Sequence, residues 1–329
     1  MNTIEEKTGV CPLGHHGTFS QSEFHEIYSP EQLVEAQHKG FGFYGGRAVH
    51  AKGIILEGTF TPDPQASTLT IARHLQKESS DILVRFSNTT SLLDIPDNLK
   101  EANARGFAIK IIGADGFTTD IVAHSFNGFP VKNTDDFRDF LMALAASGPD
   151  APKPTEVDKY LDAHPATKAF AENQKNPASY ATISYFAANS FKFTNAAGVS
   201  TYLRYQFIPQ EGEQLLTDEE MAAKSSSYIQ DDIKARIAAK PVKFDMYAQL
   251  AGQNDVIDDP STAWPDTRER VLLAVLEIKK ISLNTPEQDK ALIFIPNNVP
   301  EGIETADPML DFRSKAYPIS QKGRQGVVD

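Results

Sequence analysis

Two residues near the C-terminal end of the chain have the types and spacing of an anionic ligand pair. Arg313 and Tyr317 lie four positions apart, so on a helix they share one face. An ordinary tyrosine has a pKa of about 10 and is a poor anionic ligand at neutral pH. A guanidinium nearby favours the phenolate, and coordination to a metal ion removes its proton. The pair is compatible with a metal-binding phenolate, but such a pair taken alone is more often a surface contact of a helix.

Three further arginines would suit a ligand that carries two negative charges. They are Arg47, on a predicted strand with His50, Arg85, on a second strand with Ser87, and Arg324, seven residues after Tyr317. Guanidinium groups bind carboxylates through paired, charge-assisted hydrogen bonds. The sequence does not show whether these side chains converge, and His50 taken alone is compatible with a structural histidine.

Composition restricts where chemistry can come from. The 329 residues suffice for one large domain or two ordinary ones. A net charge of -12 argues against sequence-independent nucleic-acid binding, which requires a basic surface. The single cysteine, Cys11, excludes an intramolecular disulfide and a cluster held by four thiolates. We find no secretory signal and no apolar run of about 18 residues, so the expected location is cytoplasmic.

Hydrophobic patterning predicts an α+β fold built on an antiparallel sheet or barrel, because closely spaced strands alternate with short turns. Strands are predicted at 47–61, 81–88, 106–112, 118–122, 180–186, 190–194, 201–208, 244–251, 274–282 and 291–295. Helices are predicted at 30–38, 135–147, around 155–172, at 218–239 and at 307–317, the last ended by Pro318.

Two short motifs have alternative interpretations that we do not favour. Gly40, Gly42 and Gly45 form a GxGxxG pattern, but a helix precedes it and a strand follows, which is the reverse of a dinucleotide-binding unit. Cys11, His15 and His16 could be offered as a metal site, yet they lack paired-ligand spacing and fit a polar N-terminal arm.

Taken together, these segments resemble the haem catalases. The run 47–53 (RAVHAKG) is similar to the distal-histidine motif of that family, and 84–87 (VRFS) and 105–110 (RGFAIK) are similar to its next two barrel strands. The stretch 297–317 (NNVPEGIETADPMLDFRSKAY) is similar to the proximal segment. The match is colinear over nearly the whole chain, and the early end after Arg324 resembles the short catalase-related peroxidases.

The resemblance implies a role for each matching position. Tyr317 would be the axial ligand of haem iron, and Arg313 would stabilise its negative charge. His50 would be the distal acid and base, oriented by Ser87. Arg47, Arg85 and Arg324 would bind the haem propionates, and Phe137 would pack on the porphyrin face. Alone, Phe137 is equally compatible with the core of an amphipathic helix.

One position departs from the family pattern. Catalases carry a distal asparagine after the strand that ends near Val122, and an ungapped match places His124 there. Asn127 is the alternative if the loop is remodelled. A histidine can donate a hydrogen bond as asparagine does, but it differs in size and in charge with pH. This departure predicts poor dismutation of hydrogen peroxide and leaves peroxide reduction possible.

The resemblance thus predicts a haem b peroxidase that reduces hydrogen peroxide or organic hydroperoxides with a small reductant. Three alternatives remain open: a fatty-acid hydroperoxide isomerase or dehydratase, to which Phe126 and Phe129 would contribute an apolar pocket; a true catalase; and a haem-binding or haem-buffering protein without turnover. We expect a homo-oligomer, no nucleic-acid or membrane partner, an N-terminal arm at 1–25 and one catalase-like domain at 26–329.

Overall fold

An eight-stranded antiparallel barrel forms the centre of the computed structural model, which describes residues 8–10, 16–18, 27–283 and 286–326. The strands are β1 (Thr8–Val10), β2 (His16–Thr18), β3 (Gly53–Pro62), β4 (Ser80–Ser87), β5 (Gly106–Ile112), β6 (Thr118–His124), β7 (Tyr185–Thr194), β8 (Ser200–Pro209), β9 (Val242–Leu250), β10 (Arg270–Ile281) and β11 (Ile303–Thr305). The barrel runs β7-β6-β5-β4-β3-β10-β9-β8 and closes by pairing of β8 with β7. The predicted α+β fold with an antiparallel barrel is therefore confirmed.

Helices surround this barrel. They are α1 (Pro30–Phe41), α2 (Ala66–Leu69), α3 (Thr134–Ala145), α4 (Glu156–Ala163), α5 (Pro165–Glu172), α6 (Asp218–Ala222), α7 (Tyr228–Ala239), α8 (Pro286–Ala291) and α9 (Pro308–Gln325). Short 3-10 helices occur at Arg73–Leu75, Lys100–Ala102 and Tyr180–Thr182. Among the described residues, none of these helices is long and apolar enough to cross a membrane.

Along each barrel strand, alternate side chains point into the barrel core and towards the outer face of the barrel. On β5, Phe107, Ile109 and Ile111 are fully buried in the core, where stacked and edge-on aromatic rings fill the interior. Successive side chains of a strand point to opposite faces. Ala108 on β5 and Val122 on β6 therefore face outward, and both line a cavity on that side.

Three helices cover this outer face with a second, smaller apolar cluster. α1, α3 and α9 pack together through Leu33, Leu141, Phe312 and Ala316. α1 begins at a capping box in which the Ser29 side chain and the Gln32 side chain each bind the other's main-chain N–H. This helical layer and the barrel wall enclose the candidate site between them.

Several predicted elements differ from the structure near the site. Arg47 and His50 lie in an irregular segment, because the left-handed φ of 61° at His50 is incompatible with a strand and β3 begins only at Gly53. The predicted strand 291–295 is wrong: α8 ends at Ala291, and residues 292–295 are neither helix nor strand. α9 continues through Pro318 to Gln325, although proline gives up one helical hydrogen bond there.

Other element boundaries also change. The strands predicted at 180–186 and 190–194 form one strand, β7, preceded by a 3-10 turn. The helix predicted around 155–172 is two helices, since His164, which precedes Pro165, has a non-helical backbone. Residues 218–239 likewise divide into α6 and α7 around a serine-rich turn.

Candidate active site

The candidate site is a cavity between the outer face of the barrel and the helical layer. Its walls come from β4, β5 and β6, from the segment before β3, from α1, α3 and α9, and from the chain after α8. The lining includes Leu33, Arg47, Val49, His50, Arg85, Ser87, Ala108, Val122, His124, Phe129, Thr134, Phe137, Leu292, Ile293, Phe294, Met309, Arg313, Tyr317 and Arg324. The cavity therefore gathers nine of the ten candidates selected from the sequence, all except Asn127.

His50 reaches the cavity from a tightly restrained turn. Its Nδ1 lies 3.2 Å from the Oγ of Ser87, which fixes the ring and leaves Nε2 as the nitrogen that can meet a substrate. Gly106 on β5 makes this approach possible. A Cβ at that position would lie 2.3 Å from the Ser87 Oγ and 2.8 Å from the His50 Nδ1. Only glycine leaves room for the pair.

The backbone of His50 is held by Arg85. The Arg85 side chain is 3% exposed and donates from Nη1 to the carbonyl of His50 and from Nη2 to the carbonyl of Ala51, each at 2.8 Å. The main-chain N–H of Ala51 donates to the carbonyl of Thr90 at 3.0 Å. These contacts stabilise the left-handed conformation, which costs about 1–3 kcal/mol for a non-glycine residue.

Both histidines of the cavity are neutral at pH 7. The pKa of His50 is lowered to about 3, first by burial and then by the positive charges of Arg85 and Arg313. Burial also lowers the pKa of His124 to about 3, with smaller contributions from His50 and Arg313. A buried imidazole without a carboxylate partner loses its proton because the charged form cannot be solvated.

His124 ends β6, and the structure brings it, not Asn127, to the cavity. Both of its ring nitrogens are buried and have no hydrogen-bond partner within the described part of the protein. Phe129 and Phe170 pack beside the ring. Asn127 lies in the bend that follows, where the chain turns at Gly128 with a φ of 142° and leaves the sheet. This bend keeps Asn127 away from the cavity lining.

On the wall formed by α9, Tyr317 is held by a chain of polar groups that begins at the partly buried Arg313 and ends at the buried Asn189 and Asp307. Arg313 donates from Nη2 to the phenol oxygen at 2.6 Å and from Nη1 to Asn189 Oδ1 at 2.7 Å. Asn189 in turn donates to Asp307 Oδ2 at 2.7 Å. Burial raises the pKa of Asp307 to about 6, partly offset by Asn189 and by the main-chain N–H of Met309. The guanidinium stabilises negative charge on the Tyr317 oxygen.

The three arginines selected from the sequence converge at one end of the cavity. Arg47 and Arg85 share the carboxylate of Asp289, with Nη1 of Arg47 3.0 Å from Oδ2 and Nε of Arg85 3.1 Å from Oδ1. Arg324 donates to the carbonyls of Lys290 at 2.7 Å and Leu292 at 3.0 Å. Despite burial, which acts to raise it, the pKa of Asp289 is lowered by the charges of Arg85 and Arg47.

Sequence reasoning missed three polar residues of this site: Asn189, Asp289 and Asp307. Pro286 followed by Glu287 is typical of a helix start and indicates α8, on which Asp289 lies. Asp307 before Pro308 is a similar start signal for α9, where its side chain accepts from Met309. Their partners are more than one hundred residues away in the sequence, so the pairings themselves leave no local pattern.

Comparisons with known proteins agree with this architecture. The family model described as catalase matches residues 31–328, nearly the whole chain. The chain belongs to the catalase family.

Within that family, the chain is similar to two catalase-related peroxidases. The protein from Mycolicibacterium paratuberculosis is 32% identical over 310 residues, which cover 91% of this chain and 96% of the relative. The protein from Synechococcus elongatus is 29% identical over 302 residues, covering 90% and 88%. A catalase from Pseudomonas aeruginosa is 26% identical, covering 85% of this chain and 57% of the longer relative.

Solved structures show the same fold. A bacterial catalase and a fungal catalase each superpose with a TM-score of 0.75, at 19% and 18% identity. Each superposition covers 99% of this chain, and 68% and 70% of the respective catalase.

Proposed function

We propose that this protein is a haem-dependent peroxidase that reduces hydrogen peroxide or organic hydroperoxides and has weak or no catalase activity. The single observation that carries the proposal is one cavity with His50, oriented by Ser87, on one wall and Tyr317, bonded to Arg313, on another. The two catalase-related peroxidases support it, since they match this chain over nine-tenths of its length.

The residues present fit a haem group by the chemistry of their donors. A haem has a flat apolar body, two carboxylates and an iron that takes an axial ligand. Phe129, Phe137 and Leu292 offer apolar contact. The buried Arg85 and Arg324 and the partly buried Arg47 suit the carboxylates, and the Tyr317 oxygen suits the iron. Haem b, which needs no covalent attachment, is the proposed form, with Tyr317 as its protein ligand.

When bound, the haem supplies the redox chemistry of peroxide cleavage. Tyr317 would hold the haem iron through its phenol oxygen, and Arg313 would stabilise the negative charge on that oxygen through the 2.6 Å hydrogen bond. Asn189 orients Arg313, since it accepts from the other terminal nitrogen of the guanidinium. These residues hold the Tyr317 oxygen in place and set a positive charge beside it.

His50 moves the proton. Its neutral imidazole takes a proton at Nε2 from one peroxide oxygen and returns it to the other oxygen as the O–O bond breaks. The leaving oxygen departs as water from hydrogen peroxide or as an alcohol from an organic hydroperoxide. Two electrons from the reductant, with two protons, complete the reduction of the peroxide to water, or to water and the alcohol. Ser87 keeps the ring in place throughout.

His124 is proposed to reduce catalase activity. Oxidation of a second hydrogen peroxide requires that molecule to be held beside His50. The larger imidazole of His124, packed against Phe129 and Phe170, offers different hydrogen-bond geometry from an asparagine amide.

A second candidate function is the isomerisation or dehydration of lipid hydroperoxides. The observation in its favour is an apolar cavity wall formed by Phe129, Phe137 and Phe294. Phe126, which the sequence suggested for the same wall, packs against Phe170 and is not part of the lining. Product analysis with a lipid hydroperoxide decides: an alcohol with oxidised reductant supports the peroxidase, and an epoxide or allene oxide supports the isomerase.

The haem-loaded protein tests the main proposal in two parallel assays. We expect hydrogen peroxide to oxidise an added reductant with little release of oxygen gas, and His50→Ala to abolish this oxidation. Vigorous oxygen release would instead make the protein a catalase. An unchanged peroxide reaction in His50→Ala would favour a haem-binding protein without turnover. The cytoplasmic location, the homo-oligomer and the boundary between an arm at 1–25 and a domain at 26–329 stay predictions.

A further inference from the structure

The two arginines Arg47 and Arg85 already bind a carboxylate that belongs to the chain itself. Asp289 on α8 bridges them through its two oxygens, at 3.0 Å and 3.1 Å. The Asp289 side chain is 33% exposed, whereas the side chains of Arg47 and Arg85 are 14% and 3% exposed, so the carboxylate is the most exposed member of the group. Asp289 therefore already gives these two arginines the kind of partner that a carboxylate of a ligand would offer.

The Nε–H of Arg85 is committed to Asp289. Each of its two terminal nitrogens uses one hydrogen for a carbonyl, that of His50 or that of Ala51, and its single Nε hydrogen is directed at Asp289. An incoming carboxylate receives a hydrogen bond from Nε only when Asp289 releases it. The two carboxylates thus compete for one donor.

Side chains, including those of two of the cavity arginines, also donate hydrogen bonds to main-chain carbonyls at the end of α8 and just after it. Arg47 donates to the carbonyls of Asp289 and Leu292, Arg324 donates to those of Lys290 and Leu292, and Gln321 donates to that of Ala291. Leu292 also lines the cavity. Movement of Asp289 therefore alters both the charge and the wall of the site.

We propose that Asp289 competes with a cofactor carboxylate for the same arginines. In the ligand-free protein it pairs with Arg47 and Arg85, and it releases both when a dicarboxylate porphyrin binds. The inference rests on the proposed haem function. It assigns Asp289 two effects, since pairing stabilises the charges of Arg47 and Arg85 in the ligand-free protein and lowers the apparent affinity for the ligand. When a competitor must leave first, the observed affinity is the intrinsic affinity multiplied by the fraction of molecules in which the competitor has left.

The test is a porphyrin titration of the ligand-free protein. The probes are haem and metal-free protoporphyrin IX, whose fluorescence reports binding without any iron ligand. We expect Asp289→Asn to bind both probes about 10-fold more tightly than the wild type, because the neutral amide competes poorly for guanidinium. Glu287→Gln is the matched control, an exposed carboxylate on the same helix, and its affinity should not change.

Binding of a protoporphyrin dimethyl ester shows whether Asp289→Asn acts by removing a competitor for the arginines or by a general loosening of the site. The ester has no carboxylates, so Asp289→Asn should give it no advantage. An equal gain for the ester, or an unchanged or weaker affinity for protoporphyrin IX, would overturn the inference and leave the proposed function standing. A wild-type protein that binds neither haem nor protoporphyrin IX would overturn the proposed function and the inference with it.

A measurement on the wild type covers the case in which Asp289→Asn does not fold. Hydrogen exchange of the amides in 286–292 should become faster when protoporphyrin IX binds, since Asp289 loses its partners. Amides of α9 should keep their protection. Slower or unchanged exchange in 286–292 on binding would contradict the release of Asp289.

Discussion

Arg85 donates a 2.8 Å hydrogen bond to the main-chain carbonyl of His50, whose φ is 61°. A guanidinium that would bind a cofactor carboxylate thus also fixes the conformation of the residue that would move the proton. The resemblance to catalases implies only the first role. The second role follows from the planar guanidinium of Arg85, whose two terminal nitrogens donate to the carbonyls of two successive residues.

We expect Arg85→Lys to impair the reaction with peroxide more than it impairs porphyrin binding. An ammonium keeps the charge but cannot bond two carbonyls in the same plane, so His50 loses its restraint. The peroxide reaction should slow by about 10- to 100-fold, as for misplaced catalytic groups. Arg47→Lys is the comparison and should mainly weaken porphyrin affinity. Stopped-flow kinetics and titrations measure the two effects, and a wild-type rate in Arg85→Lys would contradict the positioning role.

Gly106→Ala should disrupt the His50–Ser87 contact directly. The new methyl group would lie 2.3 Å from the Ser87 Oγ, and the strand cannot move without breaking its pairing with β4 and β6. Overpacking of this kind costs about 1–3 kcal/mol in the free energy of unfolding. Urea denaturation measures it. Gly148→Ala is the control, because a methyl group added there would have no described atom within 4 Å.

Acid sensitivity should depend on the buried histidines. The pKa of His124 is about 3 when folded and about 6.5 in the unfolded chain, so unfolding takes up a proton between these values. Stability is therefore full above about pH 6.5 and is lost as pH falls towards 3, by about 1.4 kcal/mol per pH unit for one such group. In urea denaturation from pH 4.5 to 7, His124→Asn should reduce the slope of the unfolding free energy against pH by the amount that corresponds to one proton.

His74 gives the comparison for that measurement. It is buried far from the candidate site, between Phe60 and Phe117, and burial likewise lowers its pKa to about 3. His74→Gln should flatten the slope as His124→Asn does, without changing the reaction with peroxide. An undiminished slope in both variants would show that these histidines do not control acid sensitivity.

His124→Asn should also change the balance of activities. An amide in place of the imidazole gives the residue type that the resemblance to catalases predicts there, and we expect the ratio of oxygen release to reductant oxidation to rise about 10-fold or more. Asn127→Ala is the informative comparison, because the sequence left both residues open as the distal group. A larger change in Asn127→Ala than in His124→Asn would reverse the assignment.

Local patterns were sufficient for the barrel strands and for the Arg313–Tyr317 pair, because both depend on regular periodicity. They failed at His50, where the sequence pattern predicts a strand. The structure instead has a left-handed backbone conformation there, which Arg85 stabilises from β4. Local patterns also failed at Pro318, where α9 continues to Gln325 and packs against α1 through Ala316 and Ile319. Asp289 pairs with Arg47 across 242 positions, a relationship that only the folded chain reveals.

The most direct test of the central claim is the absorption spectrum of the haem-loaded protein with and without the Tyr317 hydroxyl. We expect wild-type protein and the exposed-tyrosine control Tyr44→Phe to give the same spectrum of iron bound by a phenolate. Tyr317→Phe should lose that spectrum and its peroxidase activity. An unchanged spectrum in Tyr317→Phe would show that another group binds the iron, and would contradict the assignment of this site.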